Sequence, residues 1–343
     1  MKRGYMDRNA ALTPDGMLRA RRLELAACVR EYGAKAAMIY GDTASADELQ
    51  YLAGVGPYWN NAVCVVDPEG GRYIVSGMTA RVNFWVAMMS GADRNEIRSA
   101  GPSLSKATAE YLKATYGGGL LGVVGRYFPE ETLKAVEAEG FTAVSLDEAM
   151  RQRLMRRDEG SNATRRKGVE LMKRAVAEAM AGAGPDRRTM QEAAADVEYA
   201  CRRAGAMDTV ILAGDRNLCF FKAPDRAPDG PWTLFALLQY LGEWLVVARN
   251  SDPALNAEAF AARDALLKRI TPGTAAVSTG RQGWEADICP QVRSDHAAWD
   301  GGDHGALWRG QTASLRILCR GRGILIEDMI LIEAGGAEVL TDI

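Results

Sequence analysis

Apolar residues in the first half of the chain follow two spacings. In residues 17–32, Leu18, Leu25 and Val29 lie near helical spacing, which predicts an amphipathic helix. Short, continuously apolar runs predict buried strands instead, because a strand that is covered on both faces can be apolar throughout. These runs are 36–40, 62–66, 122–125 and 143–146. Strands that alternate with helical patterns, such as 130–139, indicate an α/β domain of about 150 residues.

A charge-rich stretch at 151–160 interrupts this pattern. A solvated linker followed by the start of a helix explains it better than a binding patch. The stretch therefore predicts a boundary between a first domain at 1–155 and a second at 156–343.

Two long helices are predicted after this boundary, at 162–181 and 189–204. Thr189 and Glu192 have the spacing of a capping box, and Gly205 stands where a glycine often ends a helix. The remaining pattern predicts strands at 209–213, 234–238 and 243–247, a helix at 254–269 and a closing pair of strands.

The composition adds exclusions to this picture. The 343 residues are 48% hydrophobic and 25% charged with a net charge of −2, which gives no reason to expect a nucleic-acid or membrane partner. The polar start lacks the apolar core of a signal peptide, and the apolar stretch 234–248 is too short to span a bilayer. Six scattered cysteines without a Cys-x-x-Cys pair favour reduced thiols, so the cytoplasm is the expected location.

Several motifs occur in a characteristic order along the chain. They are Tyr51-Leu52-Ala53-Gly54, Ile270-Thr271-Pro272-Gly273, Leu307-x-x-Gly310 through Leu315, and the closing phrase that runs from Gly321 to Ile332. Together they resemble the creatinase/prolidase/methionine aminopeptidase family. The resemblance implies an α/β N-terminal domain followed by an α+β "pita-bread" C-terminal domain.

The resemblance also assigns metal-ligand positions. Metal-dependent members use two aspartates, one histidine and two glutamates, and the last glutamate matches Glu327. The aspartate positions fall near Phe235 and Val246, the histidine position near Cys289, and the first glutamate position at Arg316. One carboxylate cannot hold a dinuclear site. We therefore expect neither a bound metal nor another cofactor.

Creatinase is a metal-free member of the family, and its mechanism relies on histidine and glutamates. Its glutamate positions correspond here to Ala248 and Arg316, which puts creatine hydrolysis itself in doubt. The position of its proton-relay histidine holds Lys222, and a second family histidine corresponds to His296. These two residues are the expected catalytic groups.

Each catalytic assignment has a structural alternative. Phe220, Phe221 and Pro224 are expected to desolvate Lys222 and depress its pKa, although most lysines are simply solvated. His296 follows Asp295 and could be a loop histidine bonded to that carboxylate. Cys289 could be a nucleophile near His296, but an inert buried thiol is the more common situation.

Five residues are expected to contact substrate: Tyr58, Asn60, Phe220, Arg316 and Glu327. We expect Arg316 and Glu327 to lie on neighbouring strands, where the guanidinium replaces the charge of the metal, binds an anionic substrate, or does both. Tyr58 and Asn60 lie in a loop that resembles the creatinase segment contacting substrate across a dimer interface. That loop is either a lid of exposed aromatic residues or a packed one, and the resemblance implies a homodimer.

Three functional hypotheses follow. The leading one is a metal-independent, creatinase-like C–N hydrolase or lyase that acts on a small anionic nitrogen-containing molecule. A second is a non-catalytic pita-bread domain that binds a partner. A third is an ordinary metal-dependent Xaa-Pro peptidase, which requires that the ligand positions above are misaligned.

Overall fold

The computed structural model describes residues 8–125, 127–155, 158–181, 189–275, 279–281, 283–290 and 305–342. The chain forms two compact units, Met1–Leu154 and Met155–Ile343. In the described part of the chain, no helix is both long and apolar enough to cross a membrane.

The first unit contains a six-stranded mixed sheet. Its strands are β1 (Ala37–Asp42), β2 (Asn61–Val66), β3 (Arg72–Ser76), β4 (Ile97–Ser99), β5 (Gly119–Val124) and β6 (Phe141–Ser145), in the order β4-β3-β2-β1-β5-β6. The pairs β1–β5, β5–β6 and β3–β4 are parallel, whereas β1–β2 and β2–β3 are antiparallel. The helices are α1 (Asp15–Glu31), α2 (Asp47–Ala53), α3 (Asn83–Ser90), α4 (Leu104–Tyr116), α5 (Glu130–Ala138) and α6 (Asp147–Met155).

All four strands predicted from short apolar runs are present in this sheet. They bury side chains such as Met38, Val63, Val65 and Leu121 against α4 and α5. The structure thus confirms the α/β prediction for the N-terminal domain. The prediction missed β3 and β4, because Arg72–Ser76 and Ile97–Ser99 carry polar residues that shorten their apolar runs.

The second unit is built on a nine-stranded sheet in which every strand pair is antiparallel. Its strands are β7 (Asp208–Gly214), β8 (Phe220–Lys222), β9 (Thr233–Tyr240), β10 (Glu243–Asn250), β11 (Thr279–Arg281), β12 (Trp284–Pro290), β13 (Thr312–Cys319), β14 (Ile324–Glu333) and β15 (Gly336–Val339). The order is β11-β12-β13-β14-β10-β9-β7-β8, and β15 pairs with β14. The helices are α7 (Glu159–Ala181), α8 (Met190–Arg203) and α9 (Pro253–Leu267).

The three helices cover one face of this sheet. Leu245 in β10 contacts α7 where Gly168 leaves room for it, and the Arg249 guanidinium lies 5.1 Å from the ring centre of Phe260 in α9. Because successive side chains in a strand point to opposite faces, Val246 and Ala248 lie on the face away from the helices.

The ends of α8 match the sequence prediction. The Thr189 hydroxyl accepts a hydrogen bond from the Glu192 amide at 3.1 Å, and the Glu192 carboxylate accepts one from the Thr189 amide at 2.9 Å. Gly205, with φ +99°, follows the last residue of the helix end, Ala204. The capping box and the glycine stop are both confirmed.

Candidate functional site

The strand register places seven residues in one row across the sheet of the second unit. Directly opposed residues of antiparallel strands lie on the same face, so each pairing extends the row by one strand. From the β8 edge the row is Lys222, Leu212, Phe235, Ala248, Glu327, Arg316 and Asp287. Since Ala248 belongs to it, the row lies on the face away from the helices.

Glu327 is the charged centre of this row. Its side chain is only 1% exposed, and the Arg316 Nε donates to its Oε2 at 3.4 Å. The Ser314 hydroxyl donates to the other carboxylate oxygen. The predicted ion pair between neighbouring strands is therefore confirmed as a contact, and the carboxylate is satisfied by side chains of this chain.

Arg316 also faces a second carboxylate. Its Nη1 lies 3.9 Å from Asp287 Oδ2 on β12. The exposed fraction of the side chain rises along the row from 1% at Glu327 through 13% at Arg316 to 35% at Asp287. A ligand would therefore reach this part of the row from its Asp287 end.

The residues at the assigned metal-ligand positions do not fit a divalent cation. Phe235 and Val246, at the aspartate positions, are buried and carry no ligating atom, and Arg316 brings a positive charge to the position of a glutamate. Cys289, at the histidine position, is half-buried and would be a lone thiol among them. Within the described ranges, no group of three or more His, Cys, Asp or Glu side chains is arranged to hold a metal ion. Glu327 is the one carboxylate of the assigned set, and it is already engaged with Ser314 and Arg316.

An aromatic pair lies near the β8 end of the row. The rings of Phe220 and Phe235 have centres 5.4 Å apart at an angle of 56°. Phe220 lies over Gly214, where a Cβ atom would come within 2.8 Å of the ring. The predicted substrate contact Phe220 therefore packs beside a residue of the site row.

Lys222 differs from its prediction. Its side chain is exposed, so the expectation that Phe220, Phe221 and Pro224 desolvate it is wrong. The physical reason is its position on β8, a three-residue strand at the edge of the sheet. Lys222 shares the row with Arg316, but five strand spacings separate them, roughly 24 Å along the sheet.

The other predicted site residues lie elsewhere. His296 falls outside the described residues. Tyr58 and Asn60 belong to the first unit, where Tyr58 packs edge-on against Trp85 with ring centres 5.3 Å apart. Asn60 is exposed, has φ 60°, and donates to the Gly77 carbonyl oxygen at 2.6 Å. For Tyr58 the packed alternative is the one found, whereas its neighbour Trp59 is exposed.

Sequence reasoning missed the buried network behind the row. On the helix-covered face, Asp328 accepts hydrogen bonds from Arg249, Arg263 and Thr341. Burial lowers the pKa of Arg263, but its hydrogen bond and charge interaction with Asp328 raise it more, so the net change is upward. The sequence holds only a weak indication of this network: an arginine, Arg249, follows Ala248, and an aspartate, Asp328, follows Glu327.

Solved structures provide the comparison with known proteins. The chain superimposes on a prolidase from Pyrococcus horikoshii OT3 with a TM-score of 0.72 and 17% identity, over 94% of this chain and 98% of that one. An Xaa-Pro dipeptidase from Bacillus anthracis gives a TM-score of 0.73 at 14% identity, over 95% and 98%. An X-Pro aminopeptidase from Thermotoga maritima MSB8 gives 0.71 at 16% identity, over 94% and 97%.

Comparison with protein-family models gave no match. Comparison with curated proteins by sequence gave none either. The likeness to solved structures covers both units and shows the fold.

Proposed function

We propose that this chain, which has the pita-bread fold of the creatinase/prolidase family, is a metal-independent enzyme that acts on a small anionic nitrogen-containing molecule. One observation carries the proposal. In the row where the resemblance assigns metal ligands, Arg316 is paired with Glu327 and apolar side chains occupy the neighbouring positions. A guanidinium held in this way offers N–H donors to a carboxylate of the substrate.

We assign the following roles to residues in and near the row. Arg316, more exposed than Glu327, binds the anionic group, and Glu327 orients the guanidinium. Phe220 is proposed as a contact for the apolar part of a substrate that reaches the β8 end of the row. His296 transfers the proton that C–N cleavage requires, either to the departing nitrogen in hydrolysis or from the adjacent carbon in elimination. Lys222 could take this role only with a substrate that binds near the β8 end of the row, because five strand spacings separate it from Arg316.

A ligand screen tests the binding half of this proposal. Guanidinoacetate, glycine and L-alanine should be screened by thermal shift against the wild type, Arg316→Gln and a matched control, Arg320→Gln. Arg320 is exposed and pairs with Glu285 at 3.1 Å, so its loss perturbs no residue of the row. A ligand at about 100 times its dissociation constant should raise Tm by about 5 °C or more in the wild type and the control, and not in Arg316→Gln.

The catalytic half needs separate variants. Each ligand that binds should be assayed for turnover with Lys222→Ala and His296→Ala. Loss of turnover with retained thermal shift identifies the proton-transfer residue. Unchanged turnover in both variants would remove the mechanism.

A second function, a non-catalytic binding domain, is favoured by a different observation. Phe235 and Ala248 are buried, so the middle of the row is filled by the side chains of this chain. If no small anion stabilises the wild type and no amino or guanidino acid is consumed, the binding domain becomes the better explanation. A metal-dependent Xaa-Pro peptidase remains the third hypothesis, and it requires about one or more tightly bound divalent ions per chain.

The proposal includes a homodimer in the cytoplasm as the working form. Sedimentation equilibrium tests the first part, because it gives the mass of the assembly directly. Cell fractionation tests the second. A monomer over the micromolar range would contradict the dimer.

A further inference from the structure

The nine-stranded sheet of the second unit has one irregular join, between the neighbouring strands β10 and β14. Eight register pairs link β9 to β10, and eight link β13 to β14. Between β10 and β14, where all residues are described, the register contains the single pair Ala248–Glu327. That pair joins the two groups of strands at the centre of the site row, so the position of Glu327 depends on how this join is held.

Arg249 supplies hydrogen bonds at that join. Its Nη1 donates to the carbonyl oxygens of Ala248 at 2.8 Å and Glu327 at 3.0 Å, which are the two members of the pair. Its Nη2 donates to the Asp328 carboxylate and to the Thr341 carbonyl oxygen at 2.6 Å. The guanidinium is buried on the helix-covered face, so water does not compete for these acceptors.

Thr341 fixes the next residues of β14 from the same side. Its hydroxyl accepts a hydrogen bond from the Met329 amide at 2.8 Å and donates to Asp328 Oδ1 at 2.9 Å. Arg263 Nη1 donates to Asp328 Oδ2 at 2.9 Å, so both oxygens of this fully buried carboxylate are bonded. The backbone from Glu327 to Met329 is therefore held by side chains on the face opposite to the row.

We infer that Arg249, Asp328 and Thr341 are positioning residues for Glu327. They act on the backbone behind it, and through it they set where its carboxylate meets Ser314 and Arg316 on the other face. The inference rests on the proposed function in one respect: that the Arg316–Glu327 pair binds the ligand. Its structural part does not depend on any activity.

A pair of threonine variants tests the inference. Thr341→Val keeps the shape but removes the hydroxyl, and Thr341→Ser keeps the hydroxyl. Arg166→Ala, which breaks an exposed ion pair between α7 and Glu338, controls for general destabilisation of the unit. The readouts are amide exchange at Met329, the ¹⁵Nε resonance of Arg316, and the thermal shift produced by guanidinoacetate.

In Thr341→Val the Met329 amide should exchange about 10-fold faster or more, and the Arg316 resonance should move. Thr341→Ser and Arg166→Ala should leave both as in the wild type. An unmoved Arg316 resonance in folded Thr341→Val, or an equal movement in Arg166→Ala, would overturn the inference. If guanidinoacetate shifts no variant while the resonance moves as expected, the proposed function fails and the positioning role stands.

A measurement on the wild type keeps the inference testable if Thr341→Val does not fold. The guanidinium protons of Arg249 should exchange with water at least about 100-fold more slowly than those of the exposed Arg320. Equal exchange rates would show that Arg249 does not hold the join, and would overturn the inference.

Discussion

Replacing Arg316 with leucine should destabilise the second unit more than its partial exposure suggests. The substitution leaves the Glu327 carboxylate, 1% exposed, with the Ser314 hydroxyl but without its cation. Breaking a buried ion pair by removing one partner costs about 3–5 kcal/mol. Here the Nε–Oε2 distance is 3.4 Å and Arg316 is 13% exposed, so we expect a loss just below that range, about 2–3 kcal/mol.

The double variant separates the charge effect from the packing effect. In Arg316→Leu/Glu327→Gln no charge remains in the pair, and the amide can still bond Ser314. The free energy of unfolding should therefore recover by about 1–2 kcal/mol relative to Arg316→Leu alone, although a second residue has been changed. If the two substitutions acted independently, their effects on the free energy of unfolding would add, and the double variant would be less stable. Recovery therefore measures the coupling energy between the two side chains.

The assay must report on the second unit alone, because a two-unit chain need not unfold in one step. Denaturant-dependent hydrogen exchange of peptides from β13 and β14 meets this requirement. Arg320→Leu, at the exposed residue that directly follows β13, should change the free energy of unfolding by no more than about 0.5 kcal/mol. The reasoning is refuted if Arg316→Leu matches that control, or if the double variant is no more stable than Arg316→Leu.

Four further outcomes are expected. Gly323→Ala should lower the free energy of unfolding by about 2 kcal/mol or more, because φ is +64° and the new Cβ would lie 2.4 Å from the Arg216 carbonyl oxygen. Gly321→Ala is the control: among the described residues, no atom beyond its chain neighbours lies within 4 Å of its new Cβ, so thermal unfolding should be unchanged. Burial raises the pKa of the Cys64 thiol from 9.0 to about 11. The folded state therefore favours the neutral thiol, and this stabilisation is complete below pH 9. It should be lost as the pH rises from 9 to 11, which lowers the free energy of unfolding by up to about 2–3 kcal/mol. Cys64→Ala should flatten that part of the stability profile, and an unchanged profile would refute the assignment. Thr189→Ala removes the N-terminal cap of α8 and should lower the local stability of that helix by about 1 kcal/mol. Hydrogen exchange of peptides from α8 measures this loss. Chelator treatment followed by addition of Mn²⁺, Co²⁺ or Zn²⁺ should leave Tm unchanged. A rise of several degrees on metal addition would contradict the conclusion that the residues at the assigned ligand positions do not fit a divalent cation.

The parts of the fold that sequence predicted are those set by local pattern. The strand at 62–66 is apolar throughout, and the capping box needs only Thr189 and Glu192 three residues apart. Neither depends on a distant partner. The edge strand β4 was missed because the burial of Ile97 is set by its pairing with β3.

The candidate site shows the same division. That Arg316 and Glu327 lie on adjacent strands followed from the resemblance of the closing strand pair, and the structure confirms it. The exposure of Lys222 depends on which strand ends the sheet, which no local pattern encodes. The contacts of Arg249 with Asp328 and Thr341 join residues 79 and 92 positions apart, so they were beyond the reach of spacing arguments.

The presence of Phe235, Val246 and Arg316 at positions that the family resemblance assigns to acidic metal ligands has a consequence for engineering. Building a metal centre there would require acidic residues at all three positions and a histidine at the position of Cys289. Any one of them introduced first would be a carboxylate with no ion to balance it, in a space where burying such a charge costs several kcal/mol. Each acidic substitution made alone should therefore destabilise the second unit. A designer who wants an ion here must change these three residues and Cys289 together.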